Sequence, residues 1–368
     1  MGFKACYKVI FNIFLIEFFF QKKHRGNANA CTGEVGLKNA QEMAKLAAKE
    51  LGCDPYDVFV GSTGIIGVNL PMDKMAAGIK AAAAELSEDG SVNAGNAIIT
   101  TDTYSKACSF AVQIGGKEVR FGAIAKGSGM IQPNMATMLC YISTDANIAA
   151  PLLQKTLSDI VEVTFNMISV DGDTSTNDSI FLLANGASGV EIKTEEDKKA
   201  LAGLIEHICL DITRRIASDG EGAQHLIEVE AYDLPTEHDA RLVAKSIAGS
   251  MLFKAAVFGR DANWGRILDA MGYSGFNFTP EKTSVSFVSR SGAKRYFAAG
   301  QTNGGEENRI KVFDNGVPLD FDEEAAKAIL SEEAVEILVE LSDGDACGTA
   351  WGCDLTYDYV KINGDYRT

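Results

Sequence analysis

Basic charge is in short supply in this chain: 34 Lys and Arg stand against 50 Asp and Glu, a formal charge of −16. Grip on nucleic acid or on an anionic membrane surface rests on Lys and Arg, so both partner classes are excluded and small, polar substrates fit better. Proline is rare, 7 among 368 residues, while glycine is plentiful at 36. With 46% hydrophobic residues and no internal repeat or low-complexity linker, that balance fits a compact protein rich in tight turns, long enough for one large core or two ordinary ones. Histidine is confined to positions 24, 207, 225 and 238, away from the polar motifs below, so no Ser/His/Asp order is persuasive. The eight cysteines (6, 31, 53, 108, 140, 209, 347 and 353) form no Cys-x-x-Cys pair, which argues against a structural zinc. Several lie in apolar stretches, as buried free thiols do, and point to a reducing compartment.

A membrane-length apolar run is also missing. Residues 7–20, YKVIFNIFLIEFFF, are too short for a comfortable span and carry Lys8 and Glu17. The basic cluster Lys22, Lys23, His24 and Arg25 follows the apolar stretch, the reverse of a signal peptide. The segment reads either as a buried strand or as a start that is not the ancestral one.

Helical spacing begins after residue 33. Val35, Leu37, Ala40, Met43, Ala44, Ala47 and Leu51 form a stripe that Gly52 ends, and Pro71 opens a second helix. VFVGST, AIITT and MLCYIST read as strands, and SFAVQI and EVRFGAI as a hairpin across Gly115-Gly116. Further helices are expected near 151–167, 195–217 and 236–249, with strands at SIFLLA, HLIEVEA, AAVFG, SVSFV, IKVF and EILVEL. The acidic stretch from Asp320 to Asp345 reads as a solvated helix face. Paired strands with helices between them favour an α/β, mixed layered α+β enzyme over a doubly wound parallel sheet.

Four polar segments could carry chemistry. Gly61-Ser62-Thr63-Gly64 could aim backbone N–H groups at one anion, as an oxyanion hole does, or be an ordinary turn. The stretch from Ala125 to Leu139, AKGSGMIQPNMATML, brings Lys126 and Thr137 into a hydrophobic strand. Cleavage before Thr137 would give that residue a hydroxyl and a free α-amine, a nucleophile with its own base; the plain alternative is a β-branched residue entering a strand. Asp171 to Asp178, DGDTSTND, misplaces the glycine and glutamate of a calcium loop and reads as a locally hydrogen-bonded turn. In Asp219-Gly220-Glu221-Gly222, Glu221 either helps cap a helix or meets an amine substrate.

Taken together, GNANACTG (26–33), STGIIG (62–67), TTDT (100–103), KGSGMIQPNMATML (126–139), DGDTSTND (171–178), SDGEGA (218–223), DANWGRI (261–267) and WGCDLTYDYVKINGDYRT (351–368) resemble the ArgJ family. These are the glutamate N-acetyltransferases, or ornithine acetyltransferases, of arginine biosynthesis. The resemblance runs from about residue 26 to the end; residues 1–25 match nothing in the family, which usually carries several dozen more residues there.

The resemblance implies a Thr-nucleophile fold with mixed sheets packed against helices. It implies self-cleavage between Ala136 and Thr137 into an α chain (26–136, after the unmatched 1–25) and a β chain (137–368). Thr137 matches the nucleophile and Thr63 and Gly64 the oxyanion pair; Thr100, Lys126, Thr137, Glu221, Asn363 and Thr368 match the substrate-binding positions, with Thr101 an alternative to Thr100. The expected reaction passes acetyl from N-acetylornithine to glutamate, giving ornithine and N-acetylglutamate. No cofactor or metal is expected, although acetyl-CoA is a second candidate donor. A cytoplasmic assembly of two α and two β chains is implied. Two rival readings stand beside this one: an inactive, truncated relative, and a Thr-nucleophile amidohydrolase.

Overall fold

The computed structural model describes residues 26–87, 90–132, 138–289 and 309–365. The apolar run at 7–20, the Ala136–Thr137 bond and Thr368 lie outside the described residues.

The chain opens with helices α1 (Gly33–Leu51), α2 (Met72–Ala84) and α3 (Ser91–Ile98). The α1 stripe buries Met43 and Ala47 against Met75 and Ile79 of α2, while Val35 and Leu37 fall outside it and are exposed. Gly52 ends α1 in the left-handed conformation its lack of a Cβ allows (φ +71), its N–H donating to the Ala48 carbonyl at 2.8 Å.

Strands β1 (Lys106–Ile114), β2 (Lys117–Lys126), β3 (Leu139–Thr144) and β5 (Ser179–Ala184) form a four-stranded sheet in that order. The expected hairpin is its β1–β2 edge, turning on Gly115 and Gly116, both at positive φ. β3 pairs antiparallel with β2 and parallel with β5. The second sheet has seven strands in the order β4 (Ile168–Ser169), β11 (Ala346–Cys353), β6 (Leu226–Leu234), β10 (Ala334–Glu340), β7 (Ser284–Ser289), β8 (Arg309–Asp314) and β9 (Val317–Pro318). Both sheets mix parallel and antiparallel pairs. This is the layered α/β class expected from the sequence.

Helix α4 (Ala150–Val163) precedes α5 (Glu195–Ser218), which joins the layers by packing on β1 and β2 of the first sheet and on β4, β6 and β11 of the second. α5 begins at a capping box, in which Thr194 accepts from the Asp197 N–H and the Asp197 carboxylate accepts in return from the Thr194 N–H. Leu201, Ile205, Ile208, Ile212 and Ile216 are buried along it. Farther along, Arg214 reaches buried Glu228 on β6 at 3.1 Å, and Glu228 also accepts from the Trp351 indole N–H at 2.9 Å. Helices α6 (Glu237–Gly249), α7 (Met251–Phe258) and α8 (Trp264–Gly272) follow β6; α6 packs on β6 and β11 and contacts α8.

Some sequence expectations are overturned. AAVFG lies in helix α7, started by Ser250, whose side chain accepts the Phe253 N–H at 3.3 Å. A short, continuous apolar run does not by itself separate a buried strand from a buried helix. AIITT is the end of α3 and a bend. VFVGST enters no ladder, because the adjoining turn bonds instead to residues 26–30, Ile65 N–H donating to the Gly26 carbonyl at 2.8 Å and Ser62 Oγ to the Ala28 carbonyl at 2.8 Å. The acidic stretch from 320 splits into α9 (Glu323–Ile329) and β10, an interior strand that buries Val335, Ile337 and Val339; the exposed acids mostly flank them. Helix α10 (Tyr357–Asp365) ends the described chain.

If α5 joins the layers, Ile212→Ala should cost about 2–5 kcal/mol, the range for a buried Ile cut back in a packed core. Urea unfolding monitored by circular dichroism measures it; a loss within about 0.5 kcal/mol, as surface substitutions show, would rule out that role.

Candidate active site

The polar motifs meet because of strand register. Lys106 begins β1 opposite Ala125 near the end of β2, Lys126 ends β2 opposite Leu139 at the start of β3, and Leu139 lies beside Ser179 at the start of β5. TTDT before β1, KGSGM from the end of β2, Met138 before β3 and DGDTSTND before β5 therefore share one end of the first sheet. SDGEGA, at the end of α5, folds back onto them.

A cavity of about 270 Å³ opens there, and Thr63, Gly64, Thr100, Lys126, Glu221 and Asn363 all line it. Thr101 lines it too, so Thr100 and Thr101 are not separated. Residues 133–137, with the proposed scissile bond, lie outside the described residues, but Met138, next in sequence after Thr137, is part of the wall.

The 61–67 turn fixes the Thr63–Gly64 corner. Gly64 sits at φ +128 against the Gly26 carbonyl, which a Cβ would overlap, so no larger residue fits. Its N–H has no acceptor among the described residues. Lys126 Nζ donates to Thr63 Oγ1 at 3.5 Å.

Opposite, the Glu221 N–H donates to the Ser128 carbonyl at 3.0 Å, and Glu221 Oε2 accepts from Asn363 Nδ2 at 2.8 Å. Gly129 leaves room for that carboxylate, which a Cβ there would overlap. Asn363 and Tyr359, one turn apart on α10, reach the same loop, and Thr356 Oγ1 ties α10 to it by donating to the Gly222 carbonyl at 2.7 Å. Asp171 braces the next wall by accepting the N–H groups of Met130 (2.6 Å), Ile131 (2.9 Å) and Asp173 (3.2 Å). Among the described residues no three of His, Cys, Asp and Glu gather as metal ligands.

Comparison with known proteins adds to this geometry. Residues 24–368 match the model of the ArgJ family. The chain belongs to the ArgJ family. Among its relatives, the arginine biosynthesis bifunctional protein ArgJ of Symbiobacterium thermophilum is 48% identical over 345 residues, covering 93% of this chain and 81% of that one. The protein of the same name from Bacillus subtilis is 45% identical over 346 residues, covering 93% and 79%. A solved ArgJ structure from Bacillus halodurans is 42% identical with a TM-score of 0.53, spanning 60% of this chain and 96% of that one.

Other residues of this ArgJ-family site escaped the sequence reading. Lys106, fully buried, donates to Asp102 Oδ1 at 2.6 Å and to Asp219 Oδ2 at 2.5 Å. Asp102 in turn accepts the N–H groups of Thr100 (3.0 Å) and Gly127 (2.8 Å), while Asp219 accepts the backbone and hydroxyl of Thr103. Burial would raise the Asp102 pKa, but Lys126, Lys106 and the Gly127 N–H together hold it below the usual carboxylate range. The only sequence signal was an Asp in TTDT and a Lys opening a strand.

Asp178 shows the opposite behaviour. Both its oxygens are buried without a hydrogen-bond partner among the described residues, and it lines the cavity. Burial pushes its pKa up to about 8, against the pull of Lys126 and of the Met138 N–H, which is near it but outside hydrogen-bonding geometry. Below about pH 4, the ordinary Asp range, folded and unfolded chains both hold this proton. Between there and about 8 only the unfolded chain ionises, so stability falls as pH rises through that window. Asn does not titrate. Asp178→Asn should therefore raise the melting temperature relative to the parent by more at about pH 8 than at about pH 5. Thermal unfolding at the two values decides; an equal difference at both would mean that Asp178 is not buried as an acid.

Proposed function

We propose that this chain cuts itself between Ala136 and Thr137 and then carries acetyl as an ester on Thr137, from N-acetylornithine to glutamate. Membership of the ArgJ family makes it an acetyltransferase of arginine biosynthesis. The observation that carries the mechanistic reading is the single cavity in which Thr63, Gly64, Lys126, Glu221 and Asn363 meet beside Met138.

The chemistry is acyl transfer throughout. In the precursor the Thr137 hydroxyl attacks the Ala136 carbonyl, and water then cleaves the resulting ester to free an α-amine. That amine, with a reference pKa of about 8, takes the hydroxyl proton when Thr137 attacks the acetyl group of N-acetylornithine. The developing oxyanion meets the Thr63 hydroxyl and the Gly64 N–H, one such donor being worth about 3–4 kcal/mol. Lys126, in hydrogen-bond reach of Thr63, adds positive field. Ornithine leaves, glutamate enters, and N-acetylglutamate forms in a second transfer. Glu221, oriented by Asn363, receives the cationic amine of ornithine, with Thr100 or Thr101 and the terminal Thr368 completing the substrate contacts.

Acetyl-CoA would load the same hydroxyl, and the word "bifunctional" in the relatives' names is the support for that second donor. No cofactor enters the scheme. The family resemblance supports an assembly of two α and two β chains, and amino-acid biosynthesis supports a cytoplasmic place. No helix among the described residues is long and apolar enough to cross a membrane.

The decisive experiment is intact-mass analysis and a denaturing gel of the purified chain beside Thr137→Ala. Fragments ending at Ala136 and starting at Thr137, absent from the variant, are expected; one uncut chain in both would sink the self-processing mechanism. Glu221→Ala should raise the KM for N-acetylornithine roughly tenfold to a hundredfold, as loss of a charged hydrogen bond does. Steady-state kinetics test this, and an unchanged KM would remove Glu221 from amine binding.

A further inference from the structure

Passing an acetyl group from an amide to an amine through an ester requires two proton transfers. The hydroxyl loses its proton as the ester forms, and the departing amine must gain one before it can leave. A free α-amine on Thr137 takes the first proton; the second transfer falls either to that same ammonium or to a separate acid in the cavity.

The cavity's other titratable groups are distinguished by their partners. Asp171 is saturated by three backbone N–H groups, and Glu221 is held by Asn363. Asp173 is exposed, where water solvates its charge. The Tyr359 hydroxyl is pushed up by burial and by the carboxylates Asp171, Glu221 and Asp173 around it, so it keeps its proton. Lys126 faces the cavity from β2 and is engaged with Thr63. Asp178 stands apart, with two buried oxygens and no hydrogen-bond partner among the described residues. Its position is fixed by the strand that follows: Ser179 N–H donates to the Met138 carbonyl at 2.8 Å, which sets Asp178 beside the residue that comes next after Thr137.

We infer that Asp178 is the second proton-exchanging catalytic residue of the transfer: as an acid it protonates the amine that leaves the donor, and as a carboxylate it takes a proton from the amine that arrives. This deepens the acyl-transfer reading above and rests on it.

The step balances over one cycle. In the first half, the Thr137 oxygen bonds to the acetyl carbon and gives its proton to the α-amine, while the carbon–nitrogen bond of N-acetylornithine breaks and the leaving nitrogen takes the Asp178 proton. The acyl-enzyme is left with an ammonium and a carboxylate. In the second half the neutral amine of glutamate bonds to the acetyl carbon and gives a proton to Asp178, and the carbon–oxygen bond breaks as the α-ammonium returns a proton to Thr137. A carboxyl raised to about 8 by burial starts the cycle protonated at neutral pH.

The test compares donors that differ in whether the leaving group needs a proton. N-acetylornithine releases an amine and needs one; p-nitrophenyl acetate releases a stable phenolate and does not. With processed enzyme, Asp178→Asn should slow ornithine release by about a hundredfold or more, the scale of a lost general acid, while the p-nitrophenolate burst is little changed. In the unsubstituted enzyme, acylation by N-acetylornithine should fall as pH rises past about 8, and acylation by p-nitrophenyl acetate should lack that falling limb. This second comparison stands even where the variant fails to mature. Equal rates with N-acetylornithine in variant and parent, equal losses with both donors, or a falling limb shared by both donors would each overturn the assignment. An unsubstituted enzyme that takes up no acetyl from either donor would sink the acyl-transfer reading itself, a failure visible without any substitution.

Discussion

The ammonium of Lys106 is closed off from water between the carboxylates of Asp102 and Asp219, and the site hangs on that contact. Through Asp102 it holds the backbone of Thr100 and of Gly127; through Asp219 it holds Thr103, and the Asp219 carbonyl accepts the Ser128 hydroxyl at 2.7 Å. Three loops from distant parts of the chain are thereby set against one strand end. An arrangement of this kind adds little to stability over an apolar equivalent, but breaking it leaves buried charge unpaired at about 3–5 kcal/mol. Its value here is positional, because Lys126 and Glu221 sit one and two residues from atoms that the triad holds.

Asp102 and Asp178 form an instructive contrast. Both are acted on by Lys126, and both are removed from water, yet their proton affinities move in opposite directions. Asp102 has a second ammonium and two backbone donors, enough to outweigh burial and keep it ionised. For Asp178, one cation and an N–H outside hydrogen-bonding geometry fall short, and burial wins. Pairs of carboxyls driven apart by their surroundings are how a single fold sets a fixed charge beside an exchangeable proton. Here the fixed charge belongs to the scaffold, and the carboxyl that holds its proton lines the cavity.

How much of this was legible in the sequence depends on the range of the interactions. The α1 stripe, its Gly52 stop, the Gly115-Gly116 hairpin and the α5 capping box are local, and each could be read within a few turns of chain. AAVFG failed because a fully apolar run carries no period, so a single Ser cap outside the run decided its structure. After Asp320 the apolar run in EILVEL marked β10, while the charge around it made the whole stretch read as one helix face, which holds only for α9. At the site, the motifs themselves were legible through family resemblance, and six of the residues so assigned line one cavity. Lys106 and Asp178 were not singled out. Their roles come from strand register across about 40 residues or more of sequence and from the absence of partners, and neither leaves a mark in composition or spacing.

The placement of the chemistry at strand ends follows from the demands of the reaction. Acyl transfer tolerates little error in the distance between nucleophile, oxyanion donors and proton carriers, and loops alone are too loose to supply that accuracy. Here each loop is anchored within four residues of a paired strand: Asp102 before β1, Lys126 at the end of β2, Met138 before β3 and Asp178 before β5. The sheet supplies the rigidity and the loops supply the polar atoms. An unpartnered carboxyl in such a frame weakens the folded state at neutral pH, whereas Asp171, seven residues earlier, has all the backbone donors that a structural acid needs. A group kept for stability alone would be expected to resemble Asp171. Asp178 resembles a group kept for what it exchanges.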